Sequence, residues 1–205
     1  MSIQAVPTKG NLIAAKKSLN LATVGFSLLD RKRNILVREM MALIDHASSI
    51  QSRIDSTYSK AYLALQKANT TLGICNELSG TVPIDNSVKL SYRSVMGVEI
   101  PIVSIESSDN DNVPFGLSES NSALDEAYLS FIKVKNLTAE LAEIENSIYR
   151  LADSIKKTQK RANALKNIMI PRFEQTIKFI SDALDEKDRE DFSRLKVIKK
   201  QKTNK

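Results

Sequence analysis

The chain has 205 residues, enough for one domain of ordinary size or for one elongated element. Charged residues make up 26% and aromatic residues 5%, a mixture that favours long helices with a thin apolar seam over a globule with an aromatic core. No apolar run approaches the ~18 residues of a membrane span, no secretory signal is recognisable, and the one cysteine, Cys75, excludes an intramolecular disulfide. We therefore expect a cytoplasmic protein with no direct membrane insertion.

The formal net charge is +6, from 30 basic and 24 acidic residues. A basic balance suits nucleic acid, an anionic lipid surface or an acidic protein surface as a partner. Interspersed acidic residues weaken the nucleic-acid alternative. Much of the excess lies in the last ten residues, where a frayed, solvated helix end is the plain alternative to a binding tail. These basic residues are Lys196, Lys199, Lys200, Lys202 and Lys205.

The first predicted element is a helix from about Thr8 to Glu77, a stretch without proline. Thr8 can cap the first backbone N–H groups, and Gly73, Gly80 and Pro83 interrupt the pattern at the other end. Fifteen of the eighteen seam positions are apolar, against 42% for the chain, and a heptad sustained this long predicts a supercoiled helix. One row of the seam is Leu12, Leu19, Phe26, Arg33, Met40, Ala47, Ile54, Ala61 and Ala68, and the other is Ala15, Ala22, Leu29, Leu36, Leu43, Ile50, Thr57, Ala64 and Thr71.

The central part of the chain predicts a small β-hairpin followed by a loop. Gly97, after Met96, can take the positive φ that a tight reversal needs, and Pro101 places the second strand at an edge. The segment Ser107–Gly116 is acidic and polar and contains Pro and Gly, so we expect an exposed loop. The alternating apolar positions are Val88, Leu90 and Tyr92 in the first strand and Val98, Ile100 and Ile102 in the second.

A second helix is predicted from about Ser118 to Leu195, with Ser120 or Ser122 as its cap. Near Pro171 the apolar frame slips by one residue, and we predict that a proline bend absorbs the slip. The heptad runs through Ala127, Ser130, Val134, Leu137, Leu141, Ile144, Ile148, Leu151, Ile155, Thr158, Ala162 and Leu165, then continues as Ile170, Phe173, Ile177, Ile180 and Leu184.

Two helices of matching length can lie antiparallel and bury each other's apolar seams. Neither helix is stable with its seam exposed to water. We therefore predict a mainly all-α fold: a long antiparallel two-helix, left-handed coiled coil with a small central β-hairpin and loop. Its three regions are residues 1–77, 78–120 and 121–205, within one elongated structural unit.

Residues for catalysis are not evident in this sequence. It contains neither a G-x-x-x-x-G-K-[ST] phosphate loop nor a G-x-G-x-x-G motif. One histidine, His46, and one cysteine, Cys75, cannot form a zinc site of Cys and His ligands, and each is better explained as a surface or helix-terminal residue. We expect no catalytic, cofactor-binding or metal-binding residue, and no enzyme activity of the chain alone.

Three blocks resemble the D subunit of V-type and archaeal-type rotary ATPases: residues 7–39, residues 160–196, and Val95–Val98 followed by Pro101. They cover about half of the chain in the family's order, whereas Ala42–Ser79 and residues 107–117 show no specific match. The matching residues are Leu28, Leu29, Lys32, Arg33 and Leu36 in the first block, and Arg161, Asn163, Ala164, Leu165, Ile170, Pro171, Arg172, Thr176, Ile177, Arg189, Glu190, Phe192, Arg194, Leu195 and Lys196 in the last.

The resemblance implies a non-catalytic central rotor shaft that couples ATP hydrolysis or synthesis to ion translocation. Its paired termini would stand inside a hexamer of catalytic and regulatory nucleotide-binding subunits. A socket subunit on the membrane ring and a small central stalk subunit would bind elsewhere, which makes the chain cytoplasmic and peripheral to the membrane. Candidate contact residues are Lys9, Lys16, Lys17, Arg31, Lys32, Arg161, Arg172, Arg189 and Arg194, with Met96, Gly97 and Pro101 in the hairpin.

Two other classes remain open at this stage. A basic coiled coil that binds nucleic acid or a membrane surface would explain the charge but not the Ile-Pro-Arg block or the hairpin. A passive scaffold would explain the coiled coil without rotation. The resemblance also leaves open whether the machine moves protons or sodium ions, and whether it mainly synthesises ATP or pumps.

Overall fold

The computed structural model describes residues 6–73, 86–105 and 120–203, together with residues 80, 82, 84, 115 and 116. Two long helical stretches flank one antiparallel hairpin, which confirms the predicted fold class. The elements are α1 (Lys9–Leu72), β1 (Val88–Val95), β2 (Val98–Ile105), α2 (Ser122–Ala164), a π-helical segment (Leu165–Met169) and α3 (Ile170–Thr203).

The chain divides into two compact units. Unit 1 combines Met1–Asn34 with Lys156–Lys205, and unit 2 is Ile35–Ile155. Helix α1 is continuous and contributes residues to both units. The division into residues 1–77, 78–120 and 121–205 stays a prediction.

The ends of α1 follow local chemistry. Thr8 caps its start as predicted, because its Oγ1 accepts a hydrogen bond from the Asn11 N–H at 3.2 Å. The helix ends at Leu72, before the predicted Glu77, where Gly73 adopts a φ of +79° and its N–H donates to the Asn69 carbonyl. Cys75 lies outside the described residues.

The predicted seam of α1 is the face that α1 buries. Every seam position is buried or half-buried except Thr71, which is exposed near the end of the helix. Leu36, Ile50, Ala61 and Ala68 are fully buried. The heptad therefore identified the buried face without knowledge of its partner.

Unit 2 pairs the second part of α1 with α2 in antiparallel order. The three hydrophobic clusters show this order, because positions later in α1 meet positions earlier in α2. Asn121 links the end of α1 to the start of α2. Its Nδ2 donates a hydrogen bond to Thr71 Oγ1 at 3.1 Å, and its carbonyl accepts hydrogen bonds from the first N–H groups of α2. The clusters are centred on Leu36, Ile100 and Leu151; on Ile50, Ile54 and Ile144; and on Ala68, Phe115 and Leu124.

Two local predictions in unit 2 were wrong. Phe115, assigned to an exposed loop, is buried because its ring packs edge-on against Tyr128, with centroids 5.7 Å apart. The rest of Ser107–Gly116, except Gly116, lies outside the described residues. Helix α2 begins at Ser122, so Ser122 is its first helical residue rather than its cap.

The hairpin forms where the sequence predicted it. Val95 pairs with Val98 across a two-residue turn in which Met96 and Gly97 have φ values of 52° and 76°, the signature of a type I′ turn. Ile100 fastens the hairpin to the helices through its cluster with Leu36. Pro101 stands opposite Tyr92, at a position where β2 makes no ladder hydrogen bond.

Unit 1 pairs the first part of α1 with the end of α2 and with α3, also antiparallel. Gly25 faces Leu165, since a Cβ added at Gly25 would lie 3.7 Å from Leu165 Cδ1. Further along, Arg33 Nη1 donates to Gln159 Oε1 at 2.8 Å. Ile180 is fully buried in α3, whereas every residue from 185 to 202 is exposed.

The frame slip has a different physical basis from the one predicted. The Ile170 N–H donates to the Leu165 carbonyl, five residues back, so Leu165–Met169 forms one π-helical turn. Such a turn accommodates one extra residue, and this displaces the apolar frame by one position. Pro171 follows the π turn rather than causing the slip by a bend of its own.

Candidate interaction surfaces

All nine predicted basic contact residues lie in unit 1. Seven are exposed, and Lys32 and Arg172 are half-buried. At a rise of ~1.5 Å per residue, Lys9 and Lys32 are about 35 Å apart along α1, so these side chains form a long surface rather than a pocket.

A second apolar stripe runs along α1 in unit 1, on the side away from the seam. Its members recur at the three- and four-residue spacing of one helix face, and Leu21, the most exposed of them, is 75% exposed. Two predicted contact residues, Lys17 and Arg31, stand within it. We call it the outer stripe: Ile13, Lys17, Leu21, Val24, Leu28 and Arg31.

The outer stripe was not predicted from the sequence, although the heptad contained a signal for it. Leu21 and Leu28 come two residues after the seam positions Leu19 and Phe26, at a place in the heptad that normally carries a solvated side chain. Exposed apolar residues that recur there point to a surface that another molecule covers.

By length and composition alone, α1 contains a stretch apolar enough to cross a membrane, and 6% of that stretch is buried. A coiled-coil helix with a seam on one side and the outer stripe on the other meets the same criterion. The burial of the seam against α2 and α3 accounts for one side of this apolar surface and leaves the outer stripe to be explained.

One polar layer interrupts the seam of unit 1. Arg33 occupies a seam position, and its guanidinium also lies 2.7 Å from Asp30 Oδ1. About two turns away, Lys166 Nζ stands 5.7 Å from the centroid of the Phe26 ring, within cation–π range. Single polar residues in a seam favour one helix register over its neighbours, because any other register buries them without partners.

The end of α3 carries the remaining predicted contacts. Arg189 lies 3.8 Å from Glu186, and Arg194 lies 3.6 Å from Glu190 and 3.9 Å from Asp191. These pairs are highly exposed and add little stability. Ile198 falls on the seven-residue frame of α3 and Leu195 stands one position past it, and both are exposed.

In unit 2 the hairpin presents two unlike strands. Residues 88–94 of β1 are all exposed, whereas Ile100 and Pro101 of β2 are buried. Among the predicted hairpin residues, Met96 is exposed at the tip, Gly97 forms the turn, and Pro101 is buried.

An open groove of about 710 Å³ lies between the hairpin and helix α2. Its lining is mostly apolar and includes three charged side chains, those of Lys135, Glu143 and Arg150. The Arg150 guanidinium stacks over the Tyr92 ring, 5.4 Å from its centroid. We call it the hairpin groove, lined by Tyr58, Val88, Leu90, Tyr92, Pro101, Val103, Phe131, Val134, Lys135, Thr138, Ala139, Ala142, Glu143, Asn146 and Arg150.

In the part of the chain that the structure describes, no three His, Cys, Asp or Glu side chains are placed to share a metal ion. His46 is exposed, as predicted, with its Nε2 3.9 Å from Glu140 Oε1. The surfaces of this protein are therefore described by shape, apolar area and charge.

In the residues that the structure describes, the chain combines a two-helix coiled coil, an antiparallel hairpin and long basic and apolar surfaces. The family model for the ATP synthase D subunit matches residues 11–200, and the chain belongs to that family.

Individual relatives agree over nearly the whole length. The chain is 46% identical to the V-type ATP synthase D subunit of Thermotoga neapolitana, over 96% of this chain and 98% of that protein. It is 36% identical to the A-type ATP synthase D subunit of Methanopyrus kandleri, over 94% of this chain and 84% of that protein. Identity to the A-type D subunit of Thermococcus kodakarensis is also 36%, over 94% and 92%.

Proposed function

We propose that this chain is the central rotor shaft of a V/A-type ATP synthase and couples events in a nucleotide-binding hexamer to ion movement through a membrane ring. Membership of the D-subunit family supports a place in such a complex. The observation that supports the rotor role is the use of α1 in unit 1, where the seam face is buried or half-buried and the opposite face bears the outer stripe. A shaft needs one face to hold itself together and another to bear on its surroundings.

The internal packing suits transmission of torque. Two helices that bury each other's seams resist twisting better than one helix, because twisting either one breaks contacts along the other. The Arg33 layer, bonded to Gln159 and Asp30, opposes sliding of the helices past each other.

The proposed partners follow from charge and apolar area. Catalytic and regulatory nucleotide-binding subunits would surround the outer stripe, with acidic loops near Lys17, Arg31 and Arg161. A small central stalk subunit and a socket subunit on the membrane ring would bind elsewhere on the chain. ATP chemistry would belong to the hexamer, so this chain acts without catalytic residues or a cofactor, on the cytoplasmic face of the membrane.

Reconstitution with purified partner subunits tests the proposal. A probe attached to this chain should rotate during ATP hydrolysis, whereas a passive scaffold would assemble without rotating. Leu21→Glu places a charge in the outer stripe, and Thr23→Glu adds the same charge on another exposed face of α1.

We expect Leu21→Glu to weaken assembly about tenfold or more, because burying a leucine contributes ~1.5–3 kcal/mol. Thr23→Glu should assemble and rotate as the unchanged chain does. A stationary probe would contradict the rotor, and equal effects of the two variants would contradict the role of the outer stripe.

A further inference from the structure

The outer edges of the two hairpin strands differ in their hydrogen bonding. Val95 and Val98 flank the two-residue turn as a hydrogen-bonded pair, so the backbone groups of alternate residues point away from the ladder. On β2 these outward positions are Glu99, Pro101 and Val103. They define the outer edge of β2, which faces α2.

Two outward groups of β2 are bonded to α2, and a third position has no donor. The Glu99 carbonyl accepts a hydrogen bond from Arg150 Nη1 at 3.2 Å, and the Val103 N–H donates to Glu143 Oε2 at 2.7 Å. Pro101, between them, has no N–H to satisfy. Two side chains of α2 and one proline therefore close this edge.

The outer edge of β1 is open. Its outward backbone groups belong to Leu90, Tyr92 and Ser94, and no group of the residues described by the structure makes a hydrogen bond to them. Leu90 is 61% exposed and Tyr92 57%. An eight-residue strand with no proline and no bulge is the kind of edge to which a further strand adds, and proteins seldom leave one uncovered.

The side chains of β1 indicate what kind of strand would add. Leu90 and Tyr92 line the hairpin groove, so apolar side chains of an added strand would extend that apolar lining. On the opposite face stand Lys89 and Arg93, both exposed and positively charged. Cross-strand neighbours of opposite charge stabilise a sheet, and like charges destabilise it.

The same charges disfavour pairing between two copies of this chain. Antiparallel self-pairing centred on Ser91 would place Lys89 of each copy opposite Arg93 of the other. A partner strand that alternates apolar and acidic residues has no such repulsion. The basic face thus selects a different polypeptide over a second copy.

We propose that β1 binds an extended segment of a partner polypeptide as a third strand. The segment pairs with the backbone of Leu90, Tyr92 and Ser94, sets apolar side chains beside the hairpin groove, and sets acidic side chains opposite Lys89 and Arg93. A two-stranded hairpin is marginal by itself, and a third strand stabilises it. This inference stands independently of the rotor role.

A peptide of alternating valine and glutamate, with a fluorescent label, is a probe for the edge in the full-length chain. Two isomers of it carry N-methyl groups at alternate residues, either on the edge that faces β1 or on the edge that faces solvent. Both have the same side chains and charge. Only methylation of the edge facing β1 should abolish binding, because it removes the donors and blocks approach.

A pair of variants tests the protein side. Tyr92→Pro removes an outward N–H without removing a bond between β1 and β2, and Tyr92→Ala keeps that N–H while removing the same ring. We expect Tyr92→Pro to bind the peptide about tenfold more weakly than Tyr92→Ala. Peptide should also slow hydrogen exchange at Leu90, Tyr92 and Ser94 in the unchanged chain.

Three outcomes would overturn the proposal. Equal binding of the two methylated isomers would mean that the groove or the basic side chains attract the peptide without strand pairing. Absence of binding by the unmodified peptide would show that the edge does not accept a strand. Concentration-dependent dimers that Tyr92→Pro dissociates and Tyr92→Ala does not would assign the edge to a second copy of this chain.

Discussion

Unit 1 and unit 2 use the same heptad in different ways. Unit 2 follows it without interruption and buries large side chains at its centre, among them Leu36, Ile50 and Leu151. Unit 1 departs from it twice, at the Arg33 layer and at the π turn. Unit 1 also carries large apolar residues outside its seam, in the outer stripe. From this difference we predict that the core of unit 2 contributes more to stability than the core of unit 1.

The largest expected effect is that of two core truncations, one in each unit. Leu151→Ala removes a fully buried side chain of unit 2 and should lower the free energy of unfolding by about 2–5 kcal/mol. Ile180→Ala makes the corresponding change in unit 1. It should lower the free energy of unfolding by less, because the neighbouring residues of α3 are half-buried or exposed and can close around the cavity.

Urea denaturation measures both costs, with native-state hydrogen exchange to assign them to a unit. Leu195→Ala, at an exposed position, serves as the control and should change stability by less than about 0.5 kcal/mol. If Ile180→Ala costs as much as Leu151→Ala, the two units do not differ in core strength.

Features of this fold were predictable from the sequence where they depend on residues that are close together in the chain. The seam, the Thr8 cap and the Met96-Gly97 turn were predicted because each depends on spacing or on a single residue's backbone preference. The burial of Phe115 was not, because it depends on Tyr128 and Ala68, which are remote in sequence. A polar composition around Phe115 pointed the wrong way.

The surfaces divide in the same way. The basic residues of unit 1 are visible as charges in the sequence, whereas the outer stripe stands apart from ordinary surface only once the burial of the seam is known. The open edge of β1 could not have been found from the sequence. Which of the two edges is open depends on the hydrogen bonds that Arg150 and Glu143 of α2 make to the backbone of β2. Hydrogen bonds between distant residues leave no pattern in a single chain.

The π turn offers a sharper test of the irregularity of unit 1. Deleting Asn167, an exposed residue within the turn, should restore a regular α-helix and keep both flanking segments in the seam. We expect stability to change by only about 1 kcal/mol, with Pro171 opposing a larger gain.

Deleting Glu174, which is exposed in α3 beyond the turn, is the matched control. That deletion rotates Ile177 and Ile180 by about 100° out of the seam, so it should be strongly destabilising. Thermal unfolding of the two variants measures the difference. Similar losses for both deletions would show that the extra residue has a structural role beyond the frame slip.

The smallest expected effect concerns Gly25, which lowers helix propensity in the interior of α1. A Cβ there would meet Leu165 Cδ1 at 3.7 Å, an ordinary contact, so Gly25→Ala should stabilise unit 1 by about 0.5–1 kcal/mol. Gly10→Ala, where an added Cβ meets nothing within 4 Å, should gain less because it lies in the frayed first turn. Thermal unfolding of the two variants compares these gains. A destabilised Gly25→Ala chain would mean that α1 and the π turn must approach more closely than this geometry, and unit 1 would then be a tightly fitted region rather than a loosely packed one.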